Sequence, residues 1–319
     1  MSLLTIEGLA LAVPGADGWK TLVEEVDLTI GRGEAVGLVG ESGSGKSMTA
    51  RAVLGLTPPG ARVSGRVLFD GAPMPSGRAL REVRARRIAM IFQDPRAHVN
   101  PVRSVGDFLT EAMIGVLGLS AREAGARAVA LLDEVGVDDG ARRLRQYPHE
   151  LSGGLLQRVM IASALAVEPD LILADEPTTA LDVTTQSEVM AILGELRREH
   201  GMAMLLITHD LELAAATCER LAVMYAGRIV ESQPAAALAG RPLHPYTSGL
   251  LLSRPRLERV SDRLPVIPGR PVAAYEADPG CAFAPRCAHA LPACAEARPA
   301  FDGAAACFRS AELTLQGDS

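Results

Sequence analysis

The first sixty residues show a pattern of β structure followed by one helix. Apolar and polar positions alternate from Thr21 to Ile30, which is typical of a half-buried strand. Glu34–Val39 is a short apolar run that predicts a buried strand, and it leads into a glycine-rich segment. The spacing from Lys46 to about Leu56 is helical, and Thr57-Pro58-Pro59-Gly60 predicts the end of this helix.

Farther along the chain, strands alternate with helical segments. Val67–Phe69, followed by Asp70-Gly71, predicts a strand that ends in a turn, and residues 104–145 show helical spacing with short breaks. Leu171–Ala174 and Met204–Ile207 are continuous apolar runs, as expected for parallel strands that are covered on both faces. The alternation predicts an α/β fold with a parallel sheet.

The character of the chain changes after Ser232. Eleven of the 21 prolines follow that residue, and regular periodicity is lost. We therefore expect an N-terminal α/β domain over residues 1–232, a linker over 233–262 and a small irregular C-terminal module over 263–319.

Composition excludes several classes of protein. The 319 residues are 48% hydrophobic and 22% charged, so a sizeable core is expected and wholesale disorder is not. No uncharged apolar run approaches the roughly 18 residues of a membrane-spanning helix, and Glu7 interrupts the only apolar stretch near the start, against a secretory signal. The net charge of −6 argues against nucleic acid as a partner. Five arginines lie in residues 78–87, and Arg96 lies nearby. They could form a patch for an anionic partner, but a solvent-exposed helix face is the favoured interpretation.

Residues 40–47 fit the pattern G-x-x-x-x-G-K-S between a predicted strand and a predicted helix. Glycines let the backbone wrap around an oxyanion, Lys46 can reach the β- and γ-phosphates, and Ser47 can bind Mg²⁺. An ordinary glycine-rich turn is the alternative, but only two of the 32 basic residues are lysines, which makes a chance lysine here improbable. The expected nucleotide-binding residues are Gly40, Glu41, Ser42, Gly43, Ser44, Gly45, Lys46, Ser47 and Met48.

Two carboxylates follow the buried strand at Leu171–Ala174. Asp175 is a candidate Mg²⁺ ligand, and Glu176 is a candidate for orienting and polarising an attacking water. Two acids at the end of a strand could also be solvated turn residues, a reading that the phosphate loop makes less favourable.

Four further motifs occur in an order that resembles the ATP-binding subunits of ABC transporters, over residues 3 to 235. They are similar to the Q-loop, the signature, the D-loop and the switch histidine of that family, and they read Phe92-Gln93-Asp94-Pro95, Leu151-Ser152-Gly153-Gly154, Thr179-Ala180-Leu181-Asp182 and Thr208-His209-Asp210. The resemblance implies a P-loop NTPase (RecA-like) ABC nucleotide-binding domain, with a helical subdomain at about 96–158.

The same resemblance implies a role for each motif. Gln93 would offer its amide oxygen either to Mg²⁺, together with Ser47 and Asp175, or to the nucleophilic water, and Glu176 would be the catalytic base. His209 would contact the γ-phosphate and hold Glu176 and the water in line, and the order of the motifs favours this role over that of a buried core histidine. The signature residues Leu151, Ser152, Gly153 and Gly154 would face the ATP of an opposite subunit, so that hydrolysis needs two nucleotide-binding domains. Asp182 would be the D-loop residue.

The chain departs from the family pattern at two places. Leu155 stands where the signature usually continues with glutamine, while the anion-binding serine and glycines remain, so function is expected to survive. The position that stacks an aromatic ring on adenine is close to Val13, which cannot stack, and Trp19 is a nearby candidate replacement.

The sequence around the signature and the paired carboxylates resembles that of the D-type ATPases of oligopeptide/dipeptide permeases. Two C-terminal segments resemble the same group, and they read His244-Pro245-Tyr246-Thr247 and Ile267-Pro268-Gly269. That branch implies peptide import, a second related ATP-binding subunit, two transmembrane permease subunits and a solute-binding protein. It also implies a peripheral location on the cytoplasmic side of the inner membrane. Nickel or another small solute is an alternative cargo. A soluble ABC ATPase of nucleic-acid maintenance with a zinc module is a weaker alternative, because the 59 positions from Gln93 to Ser152 leave room for little more than a helical region.

Four of the five cysteines lie close together near the C-terminus, at Cys281, Cys287, Cys294 and Cys307. A segment this rich in Ala and Pro cannot bury much apolar area, so a stable fold would need a cross-link such as a disulfide or a bound metal. Disulfides are disfavoured where thiols stay reduced, whereas four thiolates suit Zn²⁺ or [4Fe–4S]. The resemblance favours [4Fe–4S], with zinc and no metal as alternatives. His289 is expected to be a surface residue rather than a zinc ligand, and Cys218 an ordinary buried thiol.

Overall fold

The computed structural model describes residues 2–179, 181–253 and 265–317. Met1, Ala180 of the predicted D-loop, and parts of the predicted linker and C-terminal module, at 254–264 and 318–319, lie outside the described residues. Residue contacts divide the chain into two units. The first contains Ile30–Glu34 and Pro75–Leu206, and the second contains Ser2–Thr29, Ala35–Met74 and the chain from Ile207 onward.

The described residues form strands and helices as follows. The strands are β1 Ser2–Gly15, β2 Gly18–Gly31, β3 Ala35–Val39, β4 Arg62–Phe69, β5 Ala72–Pro73, β6 Ile88–Ile91, β7 Leu171–Asp175, β8 Ala203–Thr208, β9 Arg220–Tyr225 and β10 Arg228–Pro234. The helices are α1 Lys46–Val53, α2 Gly77–Arg86, α3 Pro95–His98, α4 Val105–Gly115, α5 Ala121–Glu134, α6 Gly140–Arg143, α7 Gly153–Leu165, α8 Val183–Glu199, α9 Leu211–Thr217, α10 Ala235–Gly240, α11 Pro245–Leu252 and α12 Pro292–Glu296.

The second unit contains an antiparallel sheet with the strand order β2-β1-β4-β5. Leu4 pairs with Phe69 and Ala12 with Arg62, and the register shifts between Glu7 and Ala10. A side chain at Gly65 would place its Cβ 2.4 Å from the carbonyl oxygen of Gly8. The close approach of β4 to β1 at this register shift therefore requires glycine at position 65.

The same unit holds the neighbouring strands β10, β9 and β3. β9 pairs parallel with β3, as Val39 opposite Val223 shows, and antiparallel with β10. The C-terminal segment adds to the edge of β10, because the N–H of Ala306 donates to the carbonyl of Val230 at 2.8 Å. The cysteine-bearing segment is therefore attached to the sheet through its backbone.

In the first unit, β8, β7 and β6 are neighbours, and β6 pairs parallel with β7 with Ile88 opposite Leu171. Helices α4, α5 and α7 pack on one another around Leu109, Met113 and Leu132, each of which is fully buried. Capping boxes begin α4 at Ser104 and α5 at Ser120, and these set where the two helices start.

The structure confirms the α/β pattern and moves several boundaries. The helix predicted to reach Leu56 ends at Val53, because Gly55 takes a left-handed φ of 64° and the N–H of Leu56 turns back to the carbonyl of Arg51. β4 begins at Arg62 rather than at Val67, since backbone pairing with β1 extends the strand through residues that are mostly exposed. The arginine-rich stretch is the solvated helix α2, which has no buried residue.

Helices α10 and α11 lie in the stretch predicted to be a linker. Their short length, six and eight residues, left no clear periodicity to detect, yet Leu238, Tyr246 and Leu251 are buried. None of the helices among the described residues is both long enough and apolar enough to cross a membrane.

Replacing Leu109 with alanine should lower the free energy of unfolding by about 2–5 kcal/mol, because this fully buried side chain fills the space between three helices. Ile114→Ala on the same helix is the matched control. Its side chain is 43% exposed, so a loss below about 1 kcal/mol is expected. Urea denaturation measures the free energy of unfolding of both variants. Equal losses would contradict the assignment of Leu109 to the buried face of α4 and Ile114 to its exposed face.

Candidate nucleotide and cysteine sites

The phosphate loop, residues 40–47, joins β3 to α1 in the second unit. Gly43 and Gly45 have positive φ values of 81° and 106°, which a residue with a side chain rarely adopts. A Cβ at Gly40 would lie 2.2 Å from the carbonyl oxygen of Met224, so the loop packs directly against the end of β9. Because Gly45 has no side chain to cap α1, the first amides of that helix suit an anion.

Lys46 is 4% exposed and points back along the loop. Its Nζ donates to the carbonyl oxygens of Gly40 at 2.7 Å and Glu41 at 3.0 Å. The ammonium is thus held by backbone carbonyls at the position from which it would reach a phosphate. Ser47 and Met48, the other predicted residues in α1, are half-buried.

Glu41 is bound by two side chains from the C-terminal part of the second unit. Its N–H donates to the hydroxyl of Tyr246 at 2.9 Å, and its carboxylate accepts from both terminal nitrogens of Arg286 at 2.7 and 3.1 Å. The carboxylate raises the pKa of Arg286 above its already high usual value. Burial chiefly, and then the charge of Glu41, raise the pKa of Tyr246, so its hydroxyl stays protonated.

The two predicted carboxylates lie together in the first unit. Asp175 is the fully buried last residue of β7, and Glu176 follows it with a left-handed φ of 45°. The Glu176 carboxylate accepts from Nε2 of Gln93 at 2.9 Å and from Oγ1 of Thr179 at 2.8 Å. A non-glycine residue held in this conformation is typical of functional sites, where surrounding contacts balance the strain.

The signature residues form the start of α7 in the first unit. Leu151 is buried, and the Ser152 side chain caps the helix by accepting from the N–H of Leu155 at 3.3 Å. A Cβ on Gly154 would lie 2.8 Å from Cγ2 of Thr185, so glycine is required there by packing as well. The helix N-terminus offers amide donors to an anion, and Leu155 does not interrupt the helix.

Asp182 lies at the start of α8, and His209 lies just before α9. Asp182 caps α8 by accepting from the N–H and hydroxyl of Thr185 at 3.0 and 2.7 Å, and these hydrogen bonds lower its pKa. His209 is exposed just after β8, which rules out the core-histidine interpretation. The candidate stacking residue Trp19 is 44% exposed, and the guanidinium of Arg62 lies 3.7 Å from its ring centre.

The residues predicted to bind nucleotide are divided between the two units. The phosphate loop and His209 belong to the second unit, and Gln93, Asp175, Glu176, the signature and Asp182 belong to the first. In the first unit a side-chain hydrogen bond joins Gln93 to Glu176, and in the second unit one joins Lys46 to Ser44.

The four clustered cysteines are half-buried free thiols that line one small cavity in the second unit. Backbone N–H groups point at three of the sulfurs from 3.4 Å, those of His289 at Cys287, Leu291 at Cys294 and Arg309 at Cys307. His289 is exposed and Cys218 is buried, both as expected. Amide donors around a set of thiols suit the thiolate form that metals bind.

Burial raises the pKa of Cys281, Cys287 and Cys307, and the charges of neighbouring cysteines raise it further. A bound cation would remove this repulsion, and in that respect the donor set fits a metal. As the described residues are placed, however, no group of three or more His, Cys, Asp or Glu side chains is arranged to hold a metal ion.

Sequence reasoning missed the contacts of Arg286 and Tyr246 with Glu41 and of Thr179 with Glu176. From the sequence, Tyr246 is named only as part of a resemblance, and Arg286 is not singled out. A hydrogen bond between residues 245 positions apart leaves no periodicity that could reveal it.

Comparison with known proteins places these features in one family. The family model described as ABC transporter matches residues 23–179, and that of the oligopeptide/dipeptide transporter C-terminal region matches residues 230–294. The oligopeptide transport ATP-binding protein OppD of Salmonella typhimurium is 44% identical over 291 residues, which cover 91% of this chain and 87% of the relative. A putative peptide import ATP-binding protein of Brucella abortus is 46% identical over 291 residues, covering 90% and 88%.

Solved structures agree on the fold. A dimeric ATP-binding cassette in a post-hydrolysis state, bound to ADP and Pi, superposes with a TM-score of 0.66 at 28% identity, covering 73% of this chain and 98% of the other. A phosphate loop on a fold of this kind defines a P-loop NTPase of the ABC class. This chain belongs to the oligopeptide-transport family of ABC transporter ATP-binding subunits, and it is an ATPase.

Acidification should destabilise the protein through His244, which is 2% exposed. Burial lowers its pKa from 6.5 to about 4, so the unfolded chain binds the proton more readily and stability falls as pH drops through that interval. The loss from this group is about 3 kcal/mol at most. Glu231 acts in the opposite direction, because burial raises its pKa more than the hydrogen bonds it accepts, one of them from the backbone N–H of His244, lower it.

The test compares wild type with His244→Asn in urea denaturation from pH 7 to pH 4.5. Asparagine can replace the Nδ1 acceptor that caps α11 through the N–H of Tyr246, yet it does not titrate. The wild type should lose more stability on acidification than the variant. Parallel pH profiles would contradict the prediction.

Proposed function

We propose that this chain binds Mg·ATP with its phosphate loop and hydrolyses it to power the uptake of di- and oligopeptides. The relatives named for oligopeptide transport and peptide import, at 44% and 46% identity over nine-tenths of the chain, support this function. The contact that supports hydrolysis most directly is the hydrogen bond from Gln93 to Glu176. It orients the carboxylate that we propose as the general base.

The phosphate loop would bind the nucleotide. The amides from Gly40 to Met48 would surround the phosphates, and Lys46 would exchange its bonds with the loop carbonyls for the β- and γ-phosphates. Loss of its ammonium should therefore abolish nucleotide binding.

Glu176 would accept a proton from water as the water oxygen forms a bond to the γ-phosphorus and the bond to the β-phosphate oxygen breaks. The products are ADP and phosphate. Gln93 and Thr179 keep the carboxylate oriented, and His209 would contact the γ-phosphate and hold the water in line.

The side chains of Ser47, Gln93 and Asp175 present hydroxyl, amide and carboxylate oxygens, the donors that Mg²⁺ prefers. When bound, the ion would neutralise phosphate charge. Family membership supports the joint action of these residues with Glu176 on one nucleotide.

The signature helix supports a shared site between two subunits. Ser152, Gly153 and Gly154 begin a 13-residue helix whose amides suit an anion, and the ATP of an opposite subunit would supply it. We propose a related but different ATP-binding subunit as the partner, with Asp182 near the junction. ATP binding would bring the two together, and hydrolysis would release them.

ATPases of this family work with permease subunits in an importer. For this chain we propose two permeases, a solute-binding protein and a peripheral position on the cytoplasmic side of the inner membrane. The contact with the permeases would lie beside Gln93. Nickel or another small solute is the alternative cargo. A nucleic-acid role has less support, given the relatives named for peptide transport and the net charge of −6.

We further propose an ABC domain over 1–232 with a helical subdomain at about 96–158, a linker over 233–262 and a cysteine module over 263–319. Cys281, Cys287, Cys294 and Cys307 would hold a [4Fe–4S] cluster, with Zn²⁺ as the alternative. Such a cluster would cross-link a segment that has little apolar core. The shared cavity and the amides directed at three of the sulfurs support it.

Glu176→Gln should abolish ATP turnover, by roughly 10²–10⁴-fold for loss of a general base, while Mg·ATP binding stays intact and the closed dimer accumulates. Turnover and labelled-peptide uptake are measured with the transporter reconstituted in vesicles, alongside nickel uptake to separate the two cargoes.

Glu168→Gln is the matched control for this substitution. Glu168 shares the residue type and a left-handed φ of 51°, but it pairs with Arg127 at the surface. Its turnover should stay within about two-fold of wild type. Normal turnover in Glu176→Gln would refute the base assignment.

Anaerobic purification should yield a brown protein with about four irons per chain, as a [4Fe–4S] cluster requires. Cys287→Ser should lose the iron and the colour, whereas Cys218→Ser, outside the cavity, should keep both. A colourless wild-type protein with stoichiometric zinc would overturn the iron assignment, and one without metal would overturn the cluster altogether.

A further inference from the structure

Glu41, the second residue of the phosphate loop, is held at three points within the second unit. Its N–H donates to the hydroxyl of Tyr246, its carboxylate binds Arg286 through two hydrogen bonds, and its carbonyl accepts from Nζ of Lys46. The next two loop residues, Ser42 and Gly43, are exposed. The fixed end of the loop is therefore Glu41.

We propose that Arg286 and Tyr246 are positioning residues of the nucleotide site, which hold Glu41 so that Lys46 and the loop amides are preset for the phosphates. The inference rests on the proposed ATP binding at residues 40–48 and adds two residues from the C-terminal part of the chain. Neither residue needs to touch the nucleotide. They act through Glu41, whose carbonyl binds the Lys46 ammonium.

Arg286 is itself held firmly, which makes it a rigid anchor. Its side chain is 4% exposed, Nε donates to the Pro268 carbonyl at 2.9 Å, and the guanidinium lies 5.7 and 5.9 Å from the ring centres of Tyr225 and Phe283. A bidentate arginine–carboxylate pair fixes both distance and orientation, and a lysine ammonium could not reproduce it.

Tyr246 is anchored in the same way. It is fully buried at the start of α11, and its ring packs 4.7 Å from that of Tyr225 and 5.3 Å from that of Phe283. Its hydroxyl therefore meets the Glu41 N–H from a fixed position. The loop is clamped once through its backbone and once through a side chain.

Two physical effects make the clamp favour ATP binding. A loop already ordered in its binding conformation pays less conformational entropy when the nucleotide arrives. Arg286 also neutralises the Glu41 carboxylate, which would otherwise repel the phosphates at short range. Both effects act on affinity, whereas Glu176, which carries the proposed chemistry, is held separately by Gln93 and Thr179.

The experiment measures Mg·ATP affinity of the full-length chain by calorimetry, and KM and kcat of the assembled transporter. Arg286→Ala should weaken affinity and raise KM by about 10-fold, the effect of losing a hydrogen-bonded charge pair, with kcat changed less than about two-fold. Tyr246→Phe, which removes only the hydroxyl, should weaken affinity by about three-fold. In a Glu41→Gln background, Arg286→Ala should weaken the affinity for Mg·ATP by a further factor of less than about two, because the charge pair is already lost.

Arg298→Ala is the matched control. Arg298 also lies in the cysteine-bearing segment and pairs with a carboxylate at 2.7 Å, but its partner is Glu24 on β2 rather than a loop residue. It should change ATP affinity by less than about two-fold. Thermal unfolding midpoints of both alanine variants show whether either has lost its fold.

Equal ATP affinity in Arg286→Ala and Arg298→Ala would overturn the inference. So would a weakened affinity that only follows a loss of folded protein, or a fall in kcat without a rise in KM. The proposed function fails separately: in that case the wild-type chain does not bind Mg·ATP, or Lys46→Ala binds it as well as the wild type does.

Discussion

Close backbone packing beneath the phosphate loop is the constraint on which the second unit depends. Gly40 leaves no room for a Cβ against the Met224 carbonyl, and a Cβ at Gly45 would lie 2.8 Å from the carbonyl of Leu22. The loop thus packs closely against the backbones of β2 and β9, and the side chain of Met224 also lies against Gly45. Contacts this close restrict the conformations that the loop can adopt.

The carboxylate proposed as the general base has a different kind of support. Glu176 sits in a left-handed conformation that costs energy for a residue with a side chain, and hydrogen bonds from Gln93 and Thr179 hold its carboxylate in place. One of these donors follows β6 and the other follows β7. The orientation of the carboxylate therefore depends on the parallel pairing of those two strands.

Features that depend on local sequence were predictable, and those that join distant segments were not. The phosphate loop and the carboxylates at the end of β7 follow from a strand, a turn and a helix in sequence order, whereas the signature was found through the resemblance to a family. The end of α1 was misplaced because proline was weighted above Gly55, although glycine terminates the helix. The grouping of four cysteines around one cavity was suggested by spacing, but Arg286 was not, because its partner lies in the first fifth of the chain.

The clamp on Glu41 has a consequence for how the protein is made. A ribosome delivers the phosphate loop early, while Tyr246 emerges about two hundred residues later and Arg286 later still. Throughout that interval the nascent loop lacks both of its anchors. If the proposed clamp sets the affinity for nucleotide, a growing chain would therefore reach its full affinity only after Arg286 has been synthesised and folded against the loop.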